Sequence, residues 1–166
     1  MPEGLFFFDT VTLANFALAD AMRLLVDRYG KQAVLTPDVL SEVENGIAAG
    51  REKLTIVEAL VADNQLTLVH PNARERRLKV RLLRHLGAGE ASCIACAVGR
   101  AATVVTDDRA ARTTCADYRI PVTGTIGILL AWVREGRLPD HEADDVLAKM
   151  VEQGFYSPVS SISCLH

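Results

Sequence analysis

The sequence predicts an α/β fold with a mainly parallel central sheet. Short β-branched or aromatic runs recur along the chain, and helical patterns fall between them. Strand and helix alternate through most of the length, as a series of βα units does. The 166 residues, 49% of them hydrophobic, suffice for one domain with a full core, spanning 1–166. No internal repeat, low-complexity segment or linker divides it.

The expected strands are Leu5 to Phe8, Ala33 to Thr36, Leu66 to His70, Thr103 to Thr106 and Ile120 to Thr123, each apolar and bounded by turn residues. The expected helices cover 11–28, 37–48, 52–63, 73–86, 90–101, 109–117, 125–135 and 142–153. The first has apolar positions at Leu13, Phe16, Ala17, Leu24 and Leu25. In 73–86 an apolar stripe of Leu78, Leu82 and Leu86 coexists with Arg74, Arg77, Arg81 and Arg84, which share a face by steps of three and four residues. In 125–135 the residues Ile128, Leu129, Trp132 and Val133 suit a core or a dimer interface better than base stacking, and "GTIG" shapes a turn into that helix.

Composition removes several classes. A net charge of −3 gives no global basic field, so any contact with nucleic acid rests on a local patch. The four cysteines, Cys93, Cys96, Cys115 and Cys164, are too few for a disulfide scaffold and read as reduced thiols. Cys93 and Cys96 have zinc-like spacing, but no second close pair of ligands accompanies them. No basic stretch precedes residues 5–8, and no run approaches the roughly 18 apolar residues of a membrane span, so the expected compartment is the cytoplasm.

In open α/β sheets functional groups gather beyond the carboxyl ends of the strands. Asp9 stands at one such end and the pair Asp107 and Asp108 at another. Glu42 follows the second strand by about a turn and a half of helix, and Glu90 opens a helix in "LGAGEASCIACA". Each acid taken singly has an ordinary explanation: a helix cap for Asp9, Asp107 or Asp108, a first-turn charge for Glu90, a solvated face for Glu42. Taken together they are harder to dismiss. Carboxylates meeting at one end of a sheet repel one another unless a cation neutralises them, and oxygen-only ligands suit Mg²⁺ or Mn²⁺.

"FFFDTVTLANF", "LTPDVLSEVENG", "LGAGEASCIACAVGRAATVVTDDRAARTTCADYRIPVTGTIGILLAWVREGRLP" and "MVEQGFYSP" resemble the PIN domain superfamily. The likeness is to its branch of small prokaryotic nucleases related to VapC-type toxins. It covers nearly the whole chain and is strongest from Leu86 to Leu138. It implies a three-layer α/β/α fold and a metal-dependent nuclease centre acting on RNA. Asp9 matches the family's first aspartate, Glu42 the glutamate after the second strand, Glu90 the third acid, and Asp107 or Asp108 the last. The pattern leaves the choice within that pair open, with Asp107 slightly favoured. Thr10 and Asn15 match small polar positions that orient Asp9 or bond a metal water, and Thr106 is placed to hold the neighbouring carboxylates. Arg112 matches an arginine that either pairs with an acid or touches phosphate. Val11 and Thr12 stand where this branch commonly has proline and serine, which leaves the shape of the first loop open.

The expected activity is therefore hydrolysis of RNA phosphodiester bonds by a Mg²⁺- or Mn²⁺-dependent endoribonuclease. Asp9, Glu90 and Asp107 or Asp108 are the expected metal ligands. Arg74, Arg77, Arg81 and Arg84 form a plausible phosphate-tracking rail, with an ordinary solvated face as its alternative. The resemblance further implies a homodimer and, for a toxin, a cognate antitoxin protein. The competing reading is a catalytically inactive PIN-like module that binds RNA or protein. A haloacid dehalogenase-type phosphatase is disfavoured because Val11 occupies the place of its second aspartate. A receiver domain is disfavoured because its acid pair belongs near the first strand.

Overall fold

The computed structural model describes residues 3–166. Five strands, β1 (Phe6–Phe8), β2 (Ala33–Leu35), β3 (Thr67–Leu68), β4 (Thr103–Val105) and β5 (Val122–Thr123), form one sheet in the order β3-β2-β1-β4-β5. Every neighbouring pair is parallel. Phe7, Phe8, Val34, Leu35, Val104 and Val105 are all buried. Such unbroken burial belongs to a parallel sheet covered on both faces, where side chains of either parity meet a helix.

The helices are α1 (Thr10–Leu18), α2 (Met22–Tyr29), α3 (Pro37–Ala48), α4 (Thr55–Ala62), α5 (Ala73–Leu82), α6 (Ala88–Arg100), α7 (Arg109–Asp117), α8 (Thr125–Arg134) and α9 (Asp140–Glu152). Helix α6 packs on β1 and β4 and carries α3, α5 and α7 against it; α2 lies on β2, α1 touches α2 and α9, and α9 packs on α8. The result is the α/β architecture with a mainly parallel central sheet flanked by helices that the sequence predicts. Tyr29 closes one side of the core, its ring 4.7 Å from Phe6 and 5.5 Å from Phe8. Trp132 is buried, and its indole N–H donates to the Leu24 carbonyl at 3.1 Å, so it packs in this core. Among the described residues no helix is long and apolar enough to cross a membrane. The four cysteines are free thiols.

The structure corrects several boundaries. The helix expected over 11–28 is two helices, because Asp20 adopts φ +56° and the Ala21 N–H reaches back to the Phe16 carbonyl at 2.8 Å. The Asp20 N–H bonds the Ala17 carbonyl at 3.2 Å, completing the paired return bonds that end a helix with one left-handed residue. The segment 52–63 begins as a 3₁₀ turn over Glu52–Leu54, and the helix expected over 73–86 stops at Leu82. The outer strands β3 and β5 shrink to two residues each. A strand at the rim has a partner on one side only, so apolar flanking residues are not drawn into the ladder.

From β1 the chain builds outward through β2 and β3, then returns to the other side of β1 for β4 and β5. The direction of growth reverses between β1 and β4, and the loops beyond their carboxyl ends diverge there. Asp9 follows β1 and the pair Asp107 and Asp108 follows β4. The Asp9 N–H donates to the Val105 carbonyl at 3.1 Å, carrying the β1–β4 ladder into the first acid.

Candidate active site

Asp9 caps α1. Its Oδ1 accepts the Thr12 N–H at 2.8 Å and its Oδ2 accepts the Thr106 hydroxyl at 2.5 Å. The residue is only 1% exposed. Burial pushes its carboxyl up from 3.8 to about 6, and the negative charge of Asp107 adds to the rise while the bonds from Thr106 and Thr12 oppose it. Thr106, fully buried, also accepts the Asp108 N–H at 3.1 Å, so one hydroxyl ties the ends of β1 and β4 together.

The two aspartates after β4 part company. Asp107 turns inward: Oδ1 accepts the Thr125 N–H at 2.9 Å, Oδ2 accepts the Thr125 hydroxyl at 2.5 Å, and Asn15 Nδ2 stands 3.5 Å from Oδ2. Asn15 also donates to the Thr125 hydroxyl at 3.1 Å. Asp108 is exposed and caps α7, its Oδ2 accepting the Ala111 N–H at 2.8 Å. Arg112 donates from Nε to the Thr106 carbonyl at 3.0 Å and lies beside Asp107 over Gly124. A methyl group at Gly124 would collide with both side chains, which explains why the turn into α8 has no side chain there.

Glu42 reaches across from α3. Its Oε2 accepts the Thr10 hydroxyl at 2.5 Å and its Oε1 the Gly89 N–H at 2.8 Å. A Cβ on Gly89 would sit 2.7 Å from Oε2, so the glycine lets a carboxylate dock on the first turn of α6. Glu90, one residue on, is half-buried. Burial raises its carboxyl above the ordinary value, and the charges of Glu42 and Asp108 raise it further. Between these acids the Cys93 thiol is held well above its usual range, chiefly by complete burial and further by Asp9, Glu90 and Glu42. That proton is held too tightly for nucleophilic work.

The acids thus fall into hydrogen-bonded sets beyond the carboxyl ends of the strands: Thr106 links Asp9 to the Asp108 backbone, Thr125 and Asn15 hold Asp107, and Thr10 and Gly89 hold Glu42. The carboxylate donors are of the kind a hard divalent cation takes, and Asp9 and Glu90 are each raised by burial and by a neighbouring negative charge. In the conformation seen, each of Asp9, Asp107, Asp108 and Glu42 is closed onto a protein donor. Among the described residues no group of three His, Cys, Asp or Glu side chains is gathered closely enough to hold an ion.

Sequence reasoning missed Thr125, which bonds Asp107 twice, and Gly89, which receives Glu42. Thr125 was detectable in principle, since it opens α8 one glycine past the end of β5. The arginines divide: Arg74, Arg77 and Arg81 line one wide groove, Arg84 lies outside it, and Arg112 sits by the acids. Leu78, Leu82 and Leu86 are buried, as their spacing predicts.

An all-parallel sheet carrying acids at its switch point defines a class, and the comparisons name it. The sequence profile described as PIN domain matches residues 5–164, so the chain belongs to the PIN domain family, whose members are typically nucleases that use divalent metals. The crystal structure of PAE2754 from Pyrobaculum aerophilum is similar in fold, with TM-score 0.53 and 16% identity over 79% of this chain and 90% of that one. No curated protein matches the chain.

Proposed function

We propose that residues 1–166 act as one catalytic domain, a Mg²⁺- or Mn²⁺-dependent endoribonuclease that hydrolyses RNA phosphodiester bonds. The observation that carries this reading is the placement of the buried Asp9 directly after β1 and of Asp107 and Asp108 after β4, on the two sides of the switch point and tied together by Thr106. Asp9, Glu90 and Asp107 or Asp108 would hold the cation. When bound, a divalent cation supplies Lewis acidity, polarising the phosphodiester and the water that attacks it.

The chain's own residues prepare that chemistry. Thr12 and Thr106 fix the Asp9 carboxylate from both sides, and Thr125 with Asn15 fixes Asp107. Glu42, pinned by Thr10 and Gly89, keeps negative charge beside Glu90 and is a catalytic candidate in its own right. The arginines of α5, together with Arg112, counter the charge of the substrate. On this reading the protein works in the cytoplasm as a homodimer and serves as the toxin of a toxin–antitoxin pair, silenced by an antitoxin protein; the likeness to VapC-type relatives is what supports the toxin role.

A second reading draws on the closed hydrogen bonds of the carboxylates: a PIN module that binds RNA or protein without cutting. One experiment separates the two. Purified protein is incubated with RNA and Mn²⁺, beside Asp9→Asn of demonstrated native circular dichroism. Cleavage by the wild type, lost in the variant, is expected; intact RNA in both supports the non-cutting module.

A further inference from the structure

Helices α5 and α6 form an antiparallel hairpin, shown by Arg100 at the end of α6 gripping Glu75 at the start of α5 through Nε at 2.9 Å and Nη2 at 2.8 Å. Beside this hairpin, and reaching to the end of α7, lies a groove of about 1000 Å³. Its walls include four arginines and one glutamate, and that glutamate is consumed by Arg100 and by the Asn72 N–H at 2.8 Å. Among the described residues, Arg74, Arg77 and Arg81 enter no ion pair. The groove therefore presents uncompensated positive charge.

Two further features say what fits there. Tyr118, just past α7, and Val98 both line the groove with 40% and 41% of their surface exposed, so the arginine-lined groove also offers an aromatic ring and an aliphatic side chain to solvent. Gly99 lies in the last turn of α6, where glycine costs about 1 kcal/mol relative to alanine. Nothing stands within 4 Å of a Cβ built on it, so internal packing does not require the glycine. Without a side chain there, the α6 backbone is open to close approach by a ligand in the groove.

We propose that this groove is a separate binding site for single-stranded RNA, holding the flank of the substrate whose scissile bond lies at the acids. Arg74, Arg77 and Arg81 take phosphates, Tyr118 stacks on a base, and Gly99 lets the strand lie close to α6. Stacking on an aromatic ring with cationic support suits unpaired bases, whose faces are free. Gly99 follows Glu90 by nine residues on the same helix, which sets the groove roughly 13 Å from the acid mouth, a distance that a few nucleotides of extended strand can span. The assignment rests on the ribonuclease reading for its substrate class, and its test does not depend on cleavage.

The test measures binding of labelled oligoribonucleotides in EDTA, from a dinucleotide upward, by fluorescence anisotropy with wild type, Tyr118→Ala, Gly99→Met and Arg77→Ala/Arg81→Ala. Affinity should rise with strand length until the groove is filled. Tyr118→Ala and Gly99→Met should each weaken binding of the long strand roughly tenfold. The double arginine variant should flatten the salt dependence of binding, which Tyr118→Ala should not. Equal affinity of all variants for the long strand overturns the proposal. So does an acidic peptide that binds the groove while RNA does not, which would make it a protein-docking surface. Retained length-dependent binding with no cleavage in Mn²⁺ would overturn the ribonuclease reading alone and leave the groove assigned.

Discussion

Asp9 carries a stability signature that can be read without substrate. Its carboxyl titrates near 3.8 in an unfolded chain and at about 6 in the fold. Below 3.8 it is protonated in both states and proton binding adds nothing to the cost of folding. As pH rises through the interval the unfolded chain loses its proton first, so folding stability falls until about pH 6 and then levels. The full fall is about 3 kcal/mol. In EDTA, the difference in unfolding free energy between wild type and Asp9→Asn should follow that curve; a difference independent of pH would contradict the burial of this carboxyl. Gly124 gives a steric counterpart. Its virtual Cβ also stands 3.1 Å from the Thr106 carbonyl, a backbone atom that cannot swing away, and it collides with Asp107 and Arg112. Gly124→Ala should cost about 1–3 kcal/mol in denaturant melts, the usual range for overpacking. Neither effect is visible from the sequence, where Asp9 is simply an acid after a strand and Gly124 a turn residue. Both depend on what lies across the mouth.

At the level of elements, helix ends decide the path of the chain. Helix α6 closes on Ala101 with φ +50°, a left-handed position that alanine occupies at a cost. Ala101→Gly should raise stability by about 1 kcal/mol, read as an increase in Tm, because glycine reaches that conformation without the Cβ clash. The helices whose limits the sequence predicts best, α3 and α7, begin with capping residues that announce themselves: Thr36 before Pro37, and Asp108 before Arg109. The element read worst is the first helix. The stretch 11–28 is apolar on both sides of Asp20, and nothing local demanded the break; the turn brings α2 onto β2, where Tyr29 meets Phe6 and Phe8. Periodicity records which face is apolar and not where a helix must change direction.

For the whole molecule, the switch point between β1 and β4 concentrates negative charge that a cation would relieve. If Asp9 and its neighbours hold Mn²⁺, the ion at about a hundred times its dissociation constant should stabilise the fold by about 2.7 kcal/mol, a rise of several degrees in Tm. Asp9→Asn should show no such rise, and an unmoved wild-type Tm would argue for the non-cutting module. The sequence by itself determined the alternation of strand and helix and the membership in the PIN family, because apolar periodicity and residue order are properties of the chain alone. Only the tertiary structure decided that Asp107 bonds Thr125 and Asn15 while Asp108 caps its own helix, that Gly89 receives Glu42, and that three of the arginines open onto a groove with Tyr118. Those are relations between residues far apart in the chain, fixed by how helices settle on a sheet, and spacing along one dimension does not record them.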